Sequence, residues 1–142
     1  MFKHLLLATD GSAHAESAVK TGVQLARSLH AEVTGMTVLA PDDAPTPQAA
    51  ATHQTAHPHG HGIANAHLRF VQIVANTHDV TCDTVCVTGK APHEEIIRTA
   101  DRLHCDLIVM GAFGRKGIKA QLLGSETQRV LIHGHLPVLV CK

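Results

Sequence analysis

The sequence predicts a doubly wound α/β domain, a five-stranded parallel sheet with helices on both faces. Three observations carry this. Short apolar runs alternate with stretches of helical periodicity along the whole chain. Each run is separated from the next by a helix, which implies parallel pairing through right-handed crossovers. The chain has 142 residues, 44% of them apolar and 17% charged, which suits one domain with its own core.

The elements follow in order. Lys3–Thr9 is an apolar run stopped by Asp10-Gly11, a buried strand and its turn. From Ser12 to about His30, Ala15, Ala18, Val19, Gly22, Ala26 and Leu29 fall on one helical stripe. Glu32–Leu39 is rich in β-branched residues and reads as the second strand. After a segment at 41–62, Ile63, Ala66, Phe70, Ile73 and Thr77 recur at helical spacing. Val80–Thr88 is the third strand. Pro92 suits the first turn of the next helix, with Glu94 and Glu95 at its positive end and Ile96, Ile97, Ala100 and Leu103 as its buried face. Leu107–Met110 is the fourth strand and Pro137–Cys141 the fifth. Between them, Ser125 with Gln128 three residues on forms a capping-box signature for a short helix.

Composition excludes several functions. Twelve Lys and Arg balance twelve Asp and Glu, so the basic surface of a general polyanion binder is missing. Trp and Tyr are absent, and three Phe cannot build a base-stacking platform, so nucleic acid is not the expected partner. No run approaches the roughly 20 apolar residues of a membrane span, and no signal-peptide pattern opens the chain. The expectation is a soluble cytoplasmic protein. Cys82, Cys86, Cys105 and Cys141 form no C-x-x-C pair and read as buried free thiols. On one strand Cys82 and Cys86 would stand about 13 Å apart, beyond disulfide reach.

In such sheets ligands bind beyond the carboxyl ends of the strands, where the winding reverses. Two chemically suggestive loops lie at strand ends: Thr9-Asp10-Gly11-Ser12, and the segment from Gly111. The latter reads Met110-Gly111-Ala112-Phe113-Gly114, nine residues, then Gly124-Ser125. Glycine turns let backbone amides approach anionic oxygens, and a helix start adds unpaired donors and a positive dipole end. Arg115, Lys116 and Lys119 add positive charge between the turns. This describes a phosphate cradle, although neither a Walker A loop nor a G-x-G-x-x-G is present. The competing reading is that the glycines only turn the chain and permit close packing, with the three cations on a solvated face.

The spacing G-x-x-G, nine residues, G-S, together with Ala8-Thr9-Asp10-Gly11-Ser12, the Glu94-Glu95-Ile96 helix and Pro137-Val138-Leu139-Val140, resembles the universal stress protein family. The likeness covers almost the whole chain apart from 41–62. It implies the adenine nucleotide alpha hydrolase-like version of the fold and binding of ATP, with any bound Mg²⁺ beside its phosphates. Carried over by position, Ala8, Thr9, Asp10 and Ser12 form the first loop, with Asp10 beside the ribose. The backbone around Val38 meets the adenine edge, and Met110 and Gly111 flank the ribose. Gly114, Arg115, Gly124, Ser125 and Thr127 line the phosphates. The chain departs from the family pattern at Ala112 and Phe113, often Ser and His, and at Glu126, often Val, which puts a carboxylate near the phosphates. The Gly89-Lys90-Ala91-Pro92 turn is one residue longer.

Catalysis is not expected beyond slow ATP hydrolysis. Phosphoryl transfer needs a positioned nucleophile and charge clamps, and the sequence offers no Walker lysine. Asp10 also reads as a simple helix cap. A nucleotide-responsive regulator with an unidentified protein partner fits better. The resemblance further implies a homodimer formed by antiparallel pairing of Pro137–Cys141 with its copy, which would cover an apolar edge strand. Two alternatives stand beside this: a dimeric interaction module whose cleft binds no nucleotide, and a metal-binding protein. The second rests on His57, His59 and His61, which alternate in a Pro- and Ala-rich loop and in an extended chain would face one side.

Overall fold

The computed structural model describes residues 1–41, 59–114 and 123–142. It contains strands β1 His4–Ala8, β2 Glu32–Leu39, β3 Cys82–Thr88, β4 Leu107–Gly111 and β5 Val138–Cys141. Helices α1 Ala13–Leu29, α2 His59–Thr77, α3 Pro92–Arg102 and α4 Ser125–His133 alternate with them. The sheet order is β3-β2-β1-β4-β5 with every pairing parallel, the doubly wound architecture predicted.

Side-chain alternation along β1 divides the core. Leu5 and Leu7 pack with α1 and α2 residues such as Val19, Val23, Val71 and Ala75. Leu6 and Ala8 point the other way, toward Ile96, Ala100 and Val130 of α3 and α4. Leu5, Leu6 and Leu7 are at most 1% exposed, because β1 is central and covered on both sides.

Three local expectations need correction. The buried face of α2 is Ala64, Leu68, Val71 and Ala75, whereas Ile63 and Ile73 of the expected stripe are 48% and 58% exposed. Two apolar stripes share this helix, and the sheet selects the one that fits it. A Cβ on Gly35 of β2 would lie 2.8 Å from the Val71 side chain, so Gly35 leaves a hollow that Val71 fills. The capping box is also displaced. Gly124 caps α4 without a side-chain bond, and Gln128 donates its amide to the Leu123 carbonyl at 2.7 Å. Lastly, the buried-thiol expectation holds for Cys105 and Cys141 but not for Cys86, which is exposed on edge strand β3. Burial, aided by Asp106 and Glu32, pushes the Cys105 thiol up to about 12.

The three helix-to-strand turns after α1, α2 and α3 share one construction. His30, Asp79 and His104 adopt φ of 53°, 54° and 54°. In each turn that residue donates back three residues and the next donates back five, as in His104 N–H to Asp101 O and Cys105 N–H to Ala100 O. Such turns favour glycine, since a Cβ in the left-handed region costs about 1–2 kcal/mol. His104→Gly is therefore expected to raise the unfolding free energy by about 1 kcal/mol in urea denaturation. A loss of stability would show that the His104 side chain holds the turn.

Candidate functional site

The chain winds outward from β1 through β2 to β3, then crosses the other face to β4 and β5. The winding reverses between β1 and β4, and at their carboxyl ends the two loops singled out in the sequence come together. A Cβ on Gly114 would lie 2.9 Å from Asp10 Oδ2. A Cβ on Gly124 would lie 3.1 Å from the Ala112 carbonyl oxygen and 3.7 Å from the Gly114 nitrogen. Asp10, Gly114 and Gly124 thus border one place. Gly111 fixes its floor, with its Cα side pressed on the backbone of His14 and Ala15 at the start of α1.

The first loop is preorganised by its own hydrogen bonds. Thr9 N–H donates to Met36 O at 2.8 Å, which carries the chain one residue past the end of β1. The Thr9 hydroxyl accepts from Gly11 N–H at 3.2 Å, and Asp10 Oδ1 accepts from Ser12 N–H at 3.0 Å. The N-cap of α1 is Ser12, whose hydroxyl accepts from Ala15 N–H. Asp10 is therefore not that cap; its carboxylate braces the loop from two residues before it. Gly11 has φ +75°, and a Cβ there would collide with the His67 ring. His67 of α2 thus walls the loop from beneath. Nothing in the sequence flags His67, because its role depends on the glycine it touches.

Around the remaining rim, β2 outruns β1. Its last register partner is Met36 opposite Ala8. Val33 and Leu39 direct their backbone groups to the β3 side, while Met36 bonds toward β1. By the two-residue alternation, Val38 presents its N–H and C=O on the β1 side, beyond the point where β1 has ended. Ala8 and Met110 are buried register partners beneath the loops.

The start of α4 divides its donors between structure and solvent. Gly124 N–H donates to Ala112 O at 2.8 Å, closing the turn, so this amide is engaged. The Thr127 side chain is buried and its hydroxyl donates to Gly111 O at 3.0 Å, tying α4 to β4. Ser125 is exposed at the first helical position, where N–H groups lack intrahelical partners. Phe113 packs edge-on against His14, ring centroids 5.1 Å apart, on the α1 side of the turn.

The Glu126 carboxylate is held at the start of α3. One carboxylate oxygen accepts from His93 N–H at 2.8 Å and lies 3.0 Å from His93 Nδ1. The other accepts from Arg129 at 3.0 Å. Ala91 offers α3 no side-chain cap, so Glu126 supplies the missing acceptor from a neighbouring helix.

Arg115 lies outside the described residues, as does His57. His59 and His61 fall within α2, whose backbone is helical from His59, so the extended backbone expected there is replaced by helix. Among the described residues no group of three or more His, Cys, Asp or Glu is arranged to hold a metal ion, and no helix is long and apolar enough to cross a membrane. An open hollow of about 680 Å³ lies at the opposite end of the sheet, lined by residues including Arg27, His30, Glu32, His78 and Asp79. Its mixed charges sit beside helix carboxyl ends, which gives an anion no convergent donors.

The topology and the loops together define a doubly wound α/β protein whose two glycine-bearing loops meet at its switch point. A model described as the universal stress protein family matches residues 1–142, and the chain belongs to that family. It is 30% identical over 142 residues to universal stress protein MJ0531 of Methanocaldococcus jannaschii, covering 100% of this chain and 83% of that protein. The solved structure of hypothetical protein MJ0577, from the same organism, superposes with a TM-score of 0.81 at 26% identity, covering 100% of this chain and 96% of that one. A universal stress protein of Archaeoglobus fulgidus, solved in complex with dAMP, gives a TM-score of 0.73 at 19% identity over 100% and 98% of the two chains. At that identity the likeness is one of fold.

Proposed function

We propose that this chain binds an adenine nucleotide at the carboxyl ends of β1 and β4 and acts as a cytoplasmic, nucleotide-responsive regulator in a stress response. One observation carries the reading: the exposed Gly114 borders both the Asp10 carboxylate and the Gly124 turn, so a ligand there meets backbone donors and a carboxylate at once. The dAMP bound by a family member of the same fold supports the ligand class.

In this reading the phosphate rests on the first-turn amides of α4 and the Ser125 hydroxyl. The ribose lies against Asp10 and Met110-Gly111, and the adenine edge pairs with the backbone groups of Val38. Gly124 and Thr127 shape the cradle through the turn and the α4–β4 tie. Asp10 and the Ser125 hydroxyl are oxygen donors of the kind Mg²⁺ takes, so ATP with Mg²⁺ belongs to the ligands to be tested.

Calorimetric titration with AMP and with ATP, each with and without Mg²⁺, is expected to show one site per chain. Mass spectrometry of the purified protein is expected to find an adenine nucleotide. No heat with any of them would remove the reading. We also propose that β5, which ends the strand order, pairs with its copy in a homodimer. The exposed Leu131 and Ile132 of neighbouring α4 favour association. Sedimentation is expected to show a dimer at micromolar concentration, and a monomer only would refute it.

A further inference from the structure

Resting on that nucleotide reading, we infer that Glu126 is a specificity-determining residue that biases the cleft against the more highly charged phosphates. Both α3 and α4 begin at the carboxyl edge of the sheet, on the same face. Each presents a positive end there. The structure treats the two ends differently. The end of α3 already holds an anion, the Glu126 carboxylate, through His93 N–H. The end of α4 carries Gly124 and no side-chain cap.

Glu126 is nevertheless the second residue of α4 itself. Its backbone belongs to the amide ring that would hold a phosphate, and its carboxylate is pinned within one side-chain length of that ring. Of its partners, Arg129 is a half-exposed cation at 3.0 Å, which neutralises only part of the charge. The negative charge that remains repels each added phosphate charge, and the effect grows from AMP to ATP. The donor count acts in the same direction. With Gly124 N–H bound to Ala112 O and the Thr127 hydroxyl bound to Gly111 O, two groups the motif would lend to phosphates are already used.

The test compares affinities for AMP and for ATP, measured by calorimetry without Mg²⁺, in the wild type and two variants. Glu126→Gln keeps an acceptor for His93 N–H and removes the charge. It is expected to raise the ratio of ATP to AMP affinity about three- to fivefold. Arg129→Gln leaves the carboxylate with less compensation and is expected to lower the same ratio. Added salt should shrink both shifts. A ratio unchanged in both variants, with binding intact, overturns the inference and leaves the nucleotide reading standing. Failure of all three proteins to bind either nucleotide overturns both.

Discussion

Gly111→Ala is expected to lower the unfolding free energy by about 3 kcal/mol, the upper part of the range for overpacking a well-filled interior. The added Cβ would stand 2.8 Å from the His14 carbonyl carbon and 2.9 Å from the Ala15 nitrogen. Both obstacles are backbone atoms, so no rotamer change relieves them. Either α1 lifts from β4 or β4 withdraws from its pairing with Cys141. The contrast is Gly22, where a Cβ would meet chiefly the end of the Leu7 side chain, at 2.6 Å. Gly22→Ala can be partly absorbed by a leucine rotamer and is expected to cost less. Urea denaturation of the two variants checks the order, and equal losses would show that α1 moves freely over β4.

Gly114→Val is expected to weaken nucleotide binding on the order of tenfold or more, about 1.4 kcal/mol or above, with stability lowered by about 1 kcal/mol. Gly114 is exposed, so the outer part of the branched side chain faces solvent. Its Cβ, however, comes within 2.9 Å of Asp10 Oδ2, so the carboxylate must shift to admit it. Asp10→Asn provides the complementary measurement, because it retains an oxygen for Ser12 N–H while removing the charge. Unaltered affinity in Gly114→Val would place the ligand elsewhere on the molecule.

Much of this was legible from residue order. Pro92 at the head of α3 and the alternation of apolar runs with helical stretches are local signals, each fixed by a few neighbouring residues. Less could be read where the deciding partner is distant in sequence. On α2 the Ile63–Ile73 stripe is the bulkier and more conspicuous one, yet Gly35 on another strand selects Val71. At α4 the pair Ser125 and Gln128 has the spacing of a capping box, but Gly124 takes the capping place because its N–H closes the turn onto Ala112. Residue order shows Glu126 as a charge near the phosphates; only the packing of α3 against α4 shows that His93 N–H holds its carboxylate.

The sequence by itself determined the class of fold, the order of its elements and the two loops at strand ends, because hydrophobic period and turn chemistry are properties of adjacent residues. Only the tertiary structure decided which donors those loops leave available. Gly124 N–H and the Thr127 hydroxyl are engaged within the fold, while His67 reaches Gly11 from a helix more than fifty residues away. Hydrogen bonds and close approaches of that kind depend on the packing of elements against one another, and no local pattern records them.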